Sequence, residues 1–242
     1  MRALSDHEVL RVWESGLDEH PIDRALTVLS AVLPDTGRGE LAAMSVGRRD
    51  GHLMDVRKAN FGPKVSGVAE CPQCGELLQW DLYLDDIRDA GNAPDERTNR
   101  MVMDGHELIY RLPDSTDLAA VALDGDVAHG RDTLLHRCMV EARKDGVRVD
   151  VGSLPEDVVS GVAAEMEARD PQAETLLDFE CPACGLRWQA LFDILPFLWT
   201  ELQARARNLL NDVHDLARAY GWSEKDILGM SAVRRRYYLE AT

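Results

Sequence analysis

Four of the five cysteines occur in two copies of one short motif, Glu-Cys-Pro-x-Cys-Gly. The first copy contains Cys71 and Cys74, and the second contains Cys181 and Cys184. A Cys-x-x-Cys turn presents two sulfurs to one ion, and four thiolates at the corners of a tetrahedron suit Zn²⁺. The proline fixes φ in the turn, and the glycine permits a tight return of the backbone. The motifs therefore predict one Zn²⁺ ion bound by Cys71, Cys74, Cys181 and Cys184.

The spacing of the two motifs is unusual, because 106 residues separate Cys74 from Cys181. A compact zinc ribbon has roughly 15 to 20 residues there. Two disulfides or a redox dithiol are the alternatives. Both fit less well, because cytoplasmic thiols stay reduced and a catalytic Cys-x-x-Cys normally opens a helix, whereas strand-like runs flank these motifs. Four protein ligands leave no position for water or substrate, so the predicted zinc is structural.

No other group of residues predicts catalysis or cofactor binding. Cys138 lies on a predicted helix as a small buried hydrophobe, and His214 is expected at the surface or edge of the long C-terminal helix. The chain contains no Walker A, GxGxxG, GxSxG or HExxH motif. The neighbouring carboxylates Asp85 and Asp86 would point to opposite faces of a strand, which argues against a shared site. The chain is therefore predicted not to be an enzyme.

The charge is strongly acidic, with 27 basic and 43 acidic residues and a net charge of −16. This surplus repels polyanions and argues against nucleic acid or an anionic membrane as the main partner. Residues 81–126 hold 12 acidic and 4 basic residues, which indicates a solvated face or a docking surface for a basic partner. The sequence has neither a membrane-spanning run nor a signal-peptide core, so a cytoplasmic location is predicted.

Residues 1–63 read as a helical N-terminal segment. Ser5 caps a first helix, with Glu8 completing a capping box, and a second helix runs from Pro21 to about Leu33. Short amphipathic pieces at 40–46 and 53–59 flank a predicted polar turn at 48–51.

The remaining chain alternates between strands and helices. Strands around each cysteine motif predict a zinc ribbon split between 64–90 and 175–194. Residues 91–174 form an insertion with a loop at 91–96, a hairpin turning at Asp104-Gly105, and helices at 114–123, 133–143 and 156–169. Residues 195–242 form a C-terminal helical segment, in which Gly221 ends the long helix and Ser223 and Ser231 open short ones. The predicted class is α+β: a zinc ribbon with a large, mostly helical insertion, flanked by helical N- and C-terminal segments.

Several motifs together resemble the T4-type phage baseplate protein family, from roughly Glu40 to the end of the chain. They are Val46-Gly47-Arg48-Arg49-Asp50, Phe61-Gly62-Pro63, the two cysteine motifs, Leu112-Pro113-Asp114-Ser115, Phe197-Leu198-Trp199 with Glu201, Ala219-Tyr220-Gly221-Trp222-Ser223, Ile227-Leu228 and Arg234-Arg235-Arg236-Tyr237-Tyr238-Leu239. The zinc ribbon resembles the branch found in phage-tail-like contractile injection systems. The resemblance implies a non-enzymatic baseplate component or assembly factor whose partners are baseplate, hub or spike proteins, and which is either cytoplasmic or incorporated into a tail-like particle.

A second hypothesis is a zinc-ribbon regulator that binds nucleic acid. It is motivated by the four-cysteine site and by the run Arg234-Arg235-Arg236. The net charge of −16 opposes it.

Overall fold

A computed structural model describes residues 1–88, 98–122 and 127–241; the predicted loop at 91–96 lies outside these ranges. The helices are α1 (Asp6–Gly16), α2 (Pro21–Val32), α3 (Arg38–Ala42), α4 (Val46–Phe61), α5 (Leu84–Ile87), α6 (Ser115–Val121), α7 (Val127–Cys138), α8 (Glu156–Arg169), α9 (Ile194–Tyr220), α10 (Glu224–Leu228) and α11 (Ala232–Glu240). The strands are β1 (Lys64–Glu70), β2 (Leu77–Tyr83), β3 (Asn99–Met103), β4 (His106–Tyr110), β5 (Met139–Lys144), β6 (Val147–Arg148), β7 (Leu176–Glu180) and β8 (Arg187–Leu191). Across these ranges, no helix has the length and apolar character that a bilayer crossing requires.

The main core forms where the N-terminal helices pack on the long helix α9. Apolar residues recur along α9 at helical spacing, so that one stripe faces inward. The fully buried residues of this core include Val9, Leu29, Leu41, Leu53, Leu198 and Leu202. The predicted capping box at Ser5 and Glu8 is present, and Gly221 ends α9 in the left-handed conformation with a φ of 69°.

Partly buried ion pairs join helices across this core and attach the C-terminal helix α11 to it. Arg57 in α4 binds both carboxylate oxygens of Glu201 in α9, at 2.9 and 2.7 Å. Asp6 at the start of α1 pairs with Arg205 at 2.7 Å and with Arg235 in α11 at 2.8 Å. Because each carboxylate meets its cation inside the fold, these charges are compensated where they lie.

The predicted polar turn at 48–51 is wrong, because these residues lie inside α4. Arg49 is buried there, with its guanidinium paired to Asp50 at 2.7 Å. Gly47 donates its backbone N–H to the buried carboxylate of Asp170 at 2.9 Å, and a Cβ at Gly47 would lie 2.2 Å from that carboxylate. Within the run itself, a Cβ at Gly51 would lie 2.6 Å from the Arg88 guanidinium, so its polar and glycine residues serve close packing of α4 and not a turn.

The insertion has a four-stranded antiparallel sheet in the order β3-β4-β5-β6, with α8 packed against it. The predicted hairpin is confirmed, and both Asp104 and Gly105 have positive φ, as a tight two-residue turn requires. A second small core contains Leu108, Tyr110, Met139, Ala142, Val158 and Val162.

The predicted helix at 133–143 is wrong in its second half, because α7 ends at Cys138 and β5 follows at once. The pairing of β5 with β4 shifts between Ile109 and Tyr110, so Val140 is an extra residue in β5. This bulge turns both Met139 and Ala142 inward. Their separation of three residues imitates helical spacing.

The carboxylates of Asp85 and Asp86 lie on the single turn α5 rather than on a strand, so the opposite-face argument is wrong. Both are exposed, and Asp85 pairs with Lys58 at 2.5 Å.

A fully buried carboxylate, Asp117, organises the start of α6. It accepts hydrogen bonds from Arg111, from Arg137 at 2.8 Å and from the backbone N–H of Asp114 at 3.0 Å. Burial raises the pKa of Asp117, but the Arg111 guanidinium and these other donors outweigh it and lower the pKa to about 2. The carboxylate is therefore ionised inside the fold.

We expect Asp117→Asn to lower the free energy of unfolding by about 2 to 3 kcal/mol, because it removes the buried anion that two partly exposed arginines bind. Urea unfolding measures this change. Asp86→Asn, at an exposed carboxylate, is the control and should stay within about 0.5 kcal/mol of the wild type.

The wild type and Asp117→Asn also test how the stabilisation by Asp117 depends on pH. Since the folded pKa of about 2 lies below the unfolded value of about 3.9, the ionised Asp117 stabilises the fold fully above that unfolded value. Its contribution is lost as the pH falls towards 2. The stability gap between wild type and Asp117→Asn should therefore narrow over this range; a constant gap would show that ionisation of Asp117 is not its source.

Candidate metal centre

Each cysteine motif fills the loop of a two-stranded antiparallel hairpin. In the first hairpin, the last cross-strand pair before the loop is Glu70 with Leu77; in the second it is Glu180 with Arg187. The predicted strands on both sides of each motif are confirmed by β1, β2, β7 and β8. The two hairpins are separate sheets, so no strand pairing joins them.

The two loops have the same backbone geometry. The N–H of Cys71 donates to the carbonyl of Glu76 at 2.9 Å, and the N–H of Cys181 donates to that of Leu186 at 2.8 Å. In each loop, the glycine N–H donates a hydrogen bond to the carbonyl of the first cysteine at 2.9 Å. Gly75 and Gly185 have φ values of 74° and 73°, a conformation that a side chain would strain. The glycine in each motif is thus required by the loop.

The structure brings all four predicted ligands to one point. Their sulfur atoms lie within 4.8 Å of one another. Two of these separations join the two loops: Cys71 Sγ to Cys184 Sγ is 3.7 Å, and Cys74 Sγ to Cys181 Sγ is 3.6 Å. A tetrahedron with metal–sulfur bonds of about 2.3 Å has sulfurs about 3.8 Å apart. The four thiols therefore fit a single ion and can hold a metal.

The site has an inner and an outer side. Cys71 and Cys181, the first cysteine of each motif, are only 1% exposed, whereas Cys74 and Cys184 are exposed. The arrangement has approximate twofold symmetry, because each loop contributes one buried and one exposed sulfur.

The thiols influence one another strongly. Burial raises the pKa of Cys71, but hydrogen bonds from the backbone amides of Cys74 and Gln73 outweigh it and lower the pKa to about 7. At Cys74 the Glu76 amide acts in the opposite direction to the neighbouring Cys181 thiol and burial, which together raise the pKa to about 12. The raised pKa of Cys74 shows that a second thiolate beside Cys71 is disfavoured without a cation, and a divalent metal supplies the positive charge that four thiolates need.

An aromatic cluster holds the hairpins side by side behind the sulfurs. The Trp80 ring of β2 contacts Phe179 of β7 and Phe197 of α9, with ring centroids 6.3 and 5.7 Å apart. The strand pair Gly67 and Trp80 makes room for it, because a Cβ at Gly67 would lie 2.4 Å from the Trp80 ring. The sequence prediction missed this cluster, although aromatic residues at the inward positions of strands were its visible signal.

The remaining candidates lie elsewhere. Cys138 is fully buried beside Asp117, as predicted for a small hydrophobe, and burial raises the pKa of its thiol to about 12. His214 is exposed on α9, as predicted.

Gly67→Ala should destabilise the protein by about 1 to 3 kcal/mol, since its Cβ displaces the Trp80 ring. Gly39→Ala is the matched control, because nothing lies within 4 Å of the added atom. Thermal or urea unfolding of both variants measures the difference. Equal stabilities would show that the ring is not constrained by Gly67.

Purified protein should contain one metal ion per chain, and Cys181→Ser should lose it and unfold at lower denaturant concentration. Cys138→Ser should retain the ion, with a cost of about 1 kcal/mol for the altered core. Elemental analysis of both variants decides the ligand assignment. Equal metal content in the two variants would contradict it.

Comparison with known proteins gives one match. The model of the family described as T4 bacteriophage base plate protein matches residues 7–199. Searches of curated proteins and of solved structures found no match. The resemblance noted in the sequence begins at roughly Glu40, whereas the matched range begins earlier and stops before the Tyr-Gly-Trp-Ser segment. It covers most of the chain, including both cysteine motifs, and the chain therefore belongs to the T4 bacteriophage base plate protein family.

Proposed function

We propose that this chain is a non-enzymatic component or assembly factor of the baseplate of a phage-like contractile tail or injection system, stabilised by one structural zinc ion. The observation that carries the proposal is the family match over residues 7–199. Membership of a baseplate family implies association with other baseplate proteins. Hub and spike proteins are the partners we propose.

Zinc is the metal that the donor set favours. Four soft thiolates in a tetrahedron select zinc or iron–sulfur chemistry. The sulfur separations of 3.6 and 3.7 Å support a single ion rather than a cluster, because a cluster spreads its ligands around several metal atoms. When bound, the zinc supplies charge compensation and a rigid link between the two hairpins.

The proposed lack of enzymatic activity has two supports. The four-sulfur shell is closed to substrate, and the pair of Ser66 and Asp81 on the first hairpin is a poor catalytic pair. Four protein sulfurs close the coordination sphere to a substrate. Ser66 donates a hydrogen bond to Asp81 at 2.6 Å on the exposed face of the first hairpin. A hydroxyl beside a carboxylate resembles a catalytic nucleophile with its general base. Lys64 and Ser66 both lower the pKa of Asp81, so this carboxylate is a poor general base.

The alternative function, binding of nucleic acid, has less support. Its main motif was Arg234-Arg235-Arg236, but Arg235 is 5% exposed and pairs with Asp6 and Asp212 at 2.8 and 2.9 Å. The three arginines therefore do not form one continuous basic surface. The net charge of −16 also opposes contact with phosphates.

The test is co-purification from cells that produce the whole tail or injection system. Tagged wild-type protein should recover baseplate, hub or spike proteins, and an unrelated tagged protein of similar charge is the control. Recovery of the tagged chain alone, under conditions in which tails assemble, would contradict a baseplate role.

Removal of the metal tests the zinc in the same system. A strong chelator should release one zinc per chain and destabilise the paired hairpins, because the free energy of metal binding is coupled to folding. Zinc content and urea unfolding are measured before and after treatment, and added Zn²⁺ should restore stability. Protein that contains a different metal, or whose stability is unchanged by chelation, would overturn the zinc proposal.

A further inference from the structure

Helix α11 presents an apolar stripe to solvent. Val233 and Tyr237 are 83% and 69% exposed, among the most exposed large hydrophobic side chains in the described part of the chain. Residues four apart share one face of a helix, so the two side chains lie next to each other. Arg234 lies on one side of this stripe and Arg236 on the other. We call these four residues the α11 outer face.

Helix α11 is attached to the rest of the fold mainly through the side opposite the outer face. This side carries Arg235, which is buried and paired with Asp6 of α1 and Asp212 of α9. Tyr238 packs on Trp222 with ring centroids 4.8 Å apart. The helix is thus fixed from behind, and a rigid surface loses less conformational entropy when it binds a partner.

The two arginines of the outer face lack a carboxylate partner within the described residues. Arg234 lies over the Tyr238 ring at 5.9 Å, and Arg236 is exposed. Glu240, the single acid in α11, forms no ion pair with either among these residues. By contrast, the buried arginines Arg57 and Arg235 both have acidic partners. Two uncompensated cations beside exposed tyrosine and valine have the composition of a protein interface.

We infer that the α11 outer face binds an acidic segment of another baseplate protein, with apolar side chains on the Val233 and Tyr237 stripe and carboxylates on Arg234 and Arg236. The inference rests on the proposed function for the identity of the partner. Charge complementarity favours an acidic partner, because the arginines gain the anions that they lack in this chain. The face lies outside the residues matched by the family model, so the match at 7–199 does not account for it.

Two other occupants are less consistent with the charges. A second copy of this chain also has a net charge of −16, and two such copies repel each other. Nucleic acid requires a run of exposed cations, whereas Arg235 points inward and Glu240 lies at the end of the same helix. Both occupants are distinguishable outcomes of the test.

The contact can be identified by photo-crosslinking in cells that assemble the complete system. A photoreactive amino acid replaces Val233, and the control replaces Val102, which is 68% exposed on β3. We expect a cross-link specific to position 233 whose partner peptide comes from another tail protein and carries more acidic than basic residues. A cross-link to this chain, to nucleic acid or to a peptide without an acidic excess would overturn the inference, as would no cross-link.

Charge reversal tests the arginines directly. Arg234→Glu combined with Arg236→Glu should reduce recovery of the cross-linked partner about tenfold, since two favourable ion pairs become repulsive. Arg234→Lys combined with Arg236→Lys should retain most of the recovery. The matched control is Arg100→Glu with Arg148→Glu, which changes the net charge equally at exposed positions of the insertion sheet.

The outcomes separate this inference from the proposed function. If the wild type co-purifies with baseplate proteins and the charge-reversed protein does so equally well, the α11 inference fails while the baseplate role stands. If the wild type recovers no baseplate protein, the proposed function fails first. Unfolding of the charge-reversed protein at the wild-type midpoint excludes misfolding, and a lower midpoint with normal recovery would also overturn the inference.

Discussion

Four sulfur atoms meet at one point although they come from two hairpins that lie 106 residues apart in the sequence and share no strand pairing. Closing a loop of about 100 residues costs about 4 to 5 kcal/mol in chain entropy. The aromatic contacts of Trp80 offset part of this cost. Binding of a metal ion to sulfurs from both hairpins favours the joined arrangement, because metal binding is coupled to folding. The proposed ion therefore accounts for a connection that strand pairing does not provide.

The partly buried ion pairs have a different role from the proposed metal. They join α1 and α4 to α9 within the main core and attach α11 to that core, through Asp6, Arg57, Arg205, Glu201 and Arg235. The free-energy cost of removing two charges from water offsets most of their electrostatic attraction, so such pairs add little net stability. Their geometry instead fixes which helices meet and in what order along α9. The fixed orientation of α11 depends on them.

Local signals in the sequence predicted much of this fold. Caps at Ser5, Ser223 and Ser231, alternation around the cysteines and the repeated motif each report a short-range preference that the structure satisfies. The failures involve contacts distant in sequence. The run at 48–51 is polar and resembles a turn, but its polar residues have partners within the fold and lie inside α4. The bulge at Val140 gives the inward-facing residues of β5 a helical spacing. The grouping of four sulfurs was predictable from types and spacing, whereas the Trp80 cluster and the ion pairs of Arg57 and Arg235 depend on the tertiary arrangement.

The insertion leaves the body of the protein after β2 and returns just before β7, and it has its own apolar core around Leu108 and Val158. It is tied to the N-terminal helices near the start of α4, through the contacts of Gly47 with Asp170, Val46 with Pro113 and Arg49 with Ser115. The geometry of the sulfur site is set by the two hairpin loops and not by the length of chain between them. In evolutionary terms, we expect the parts of this segment that lie away from α4 to gain or lose residues without disturbing the sulfur site, so length variation among related chains should concentrate there.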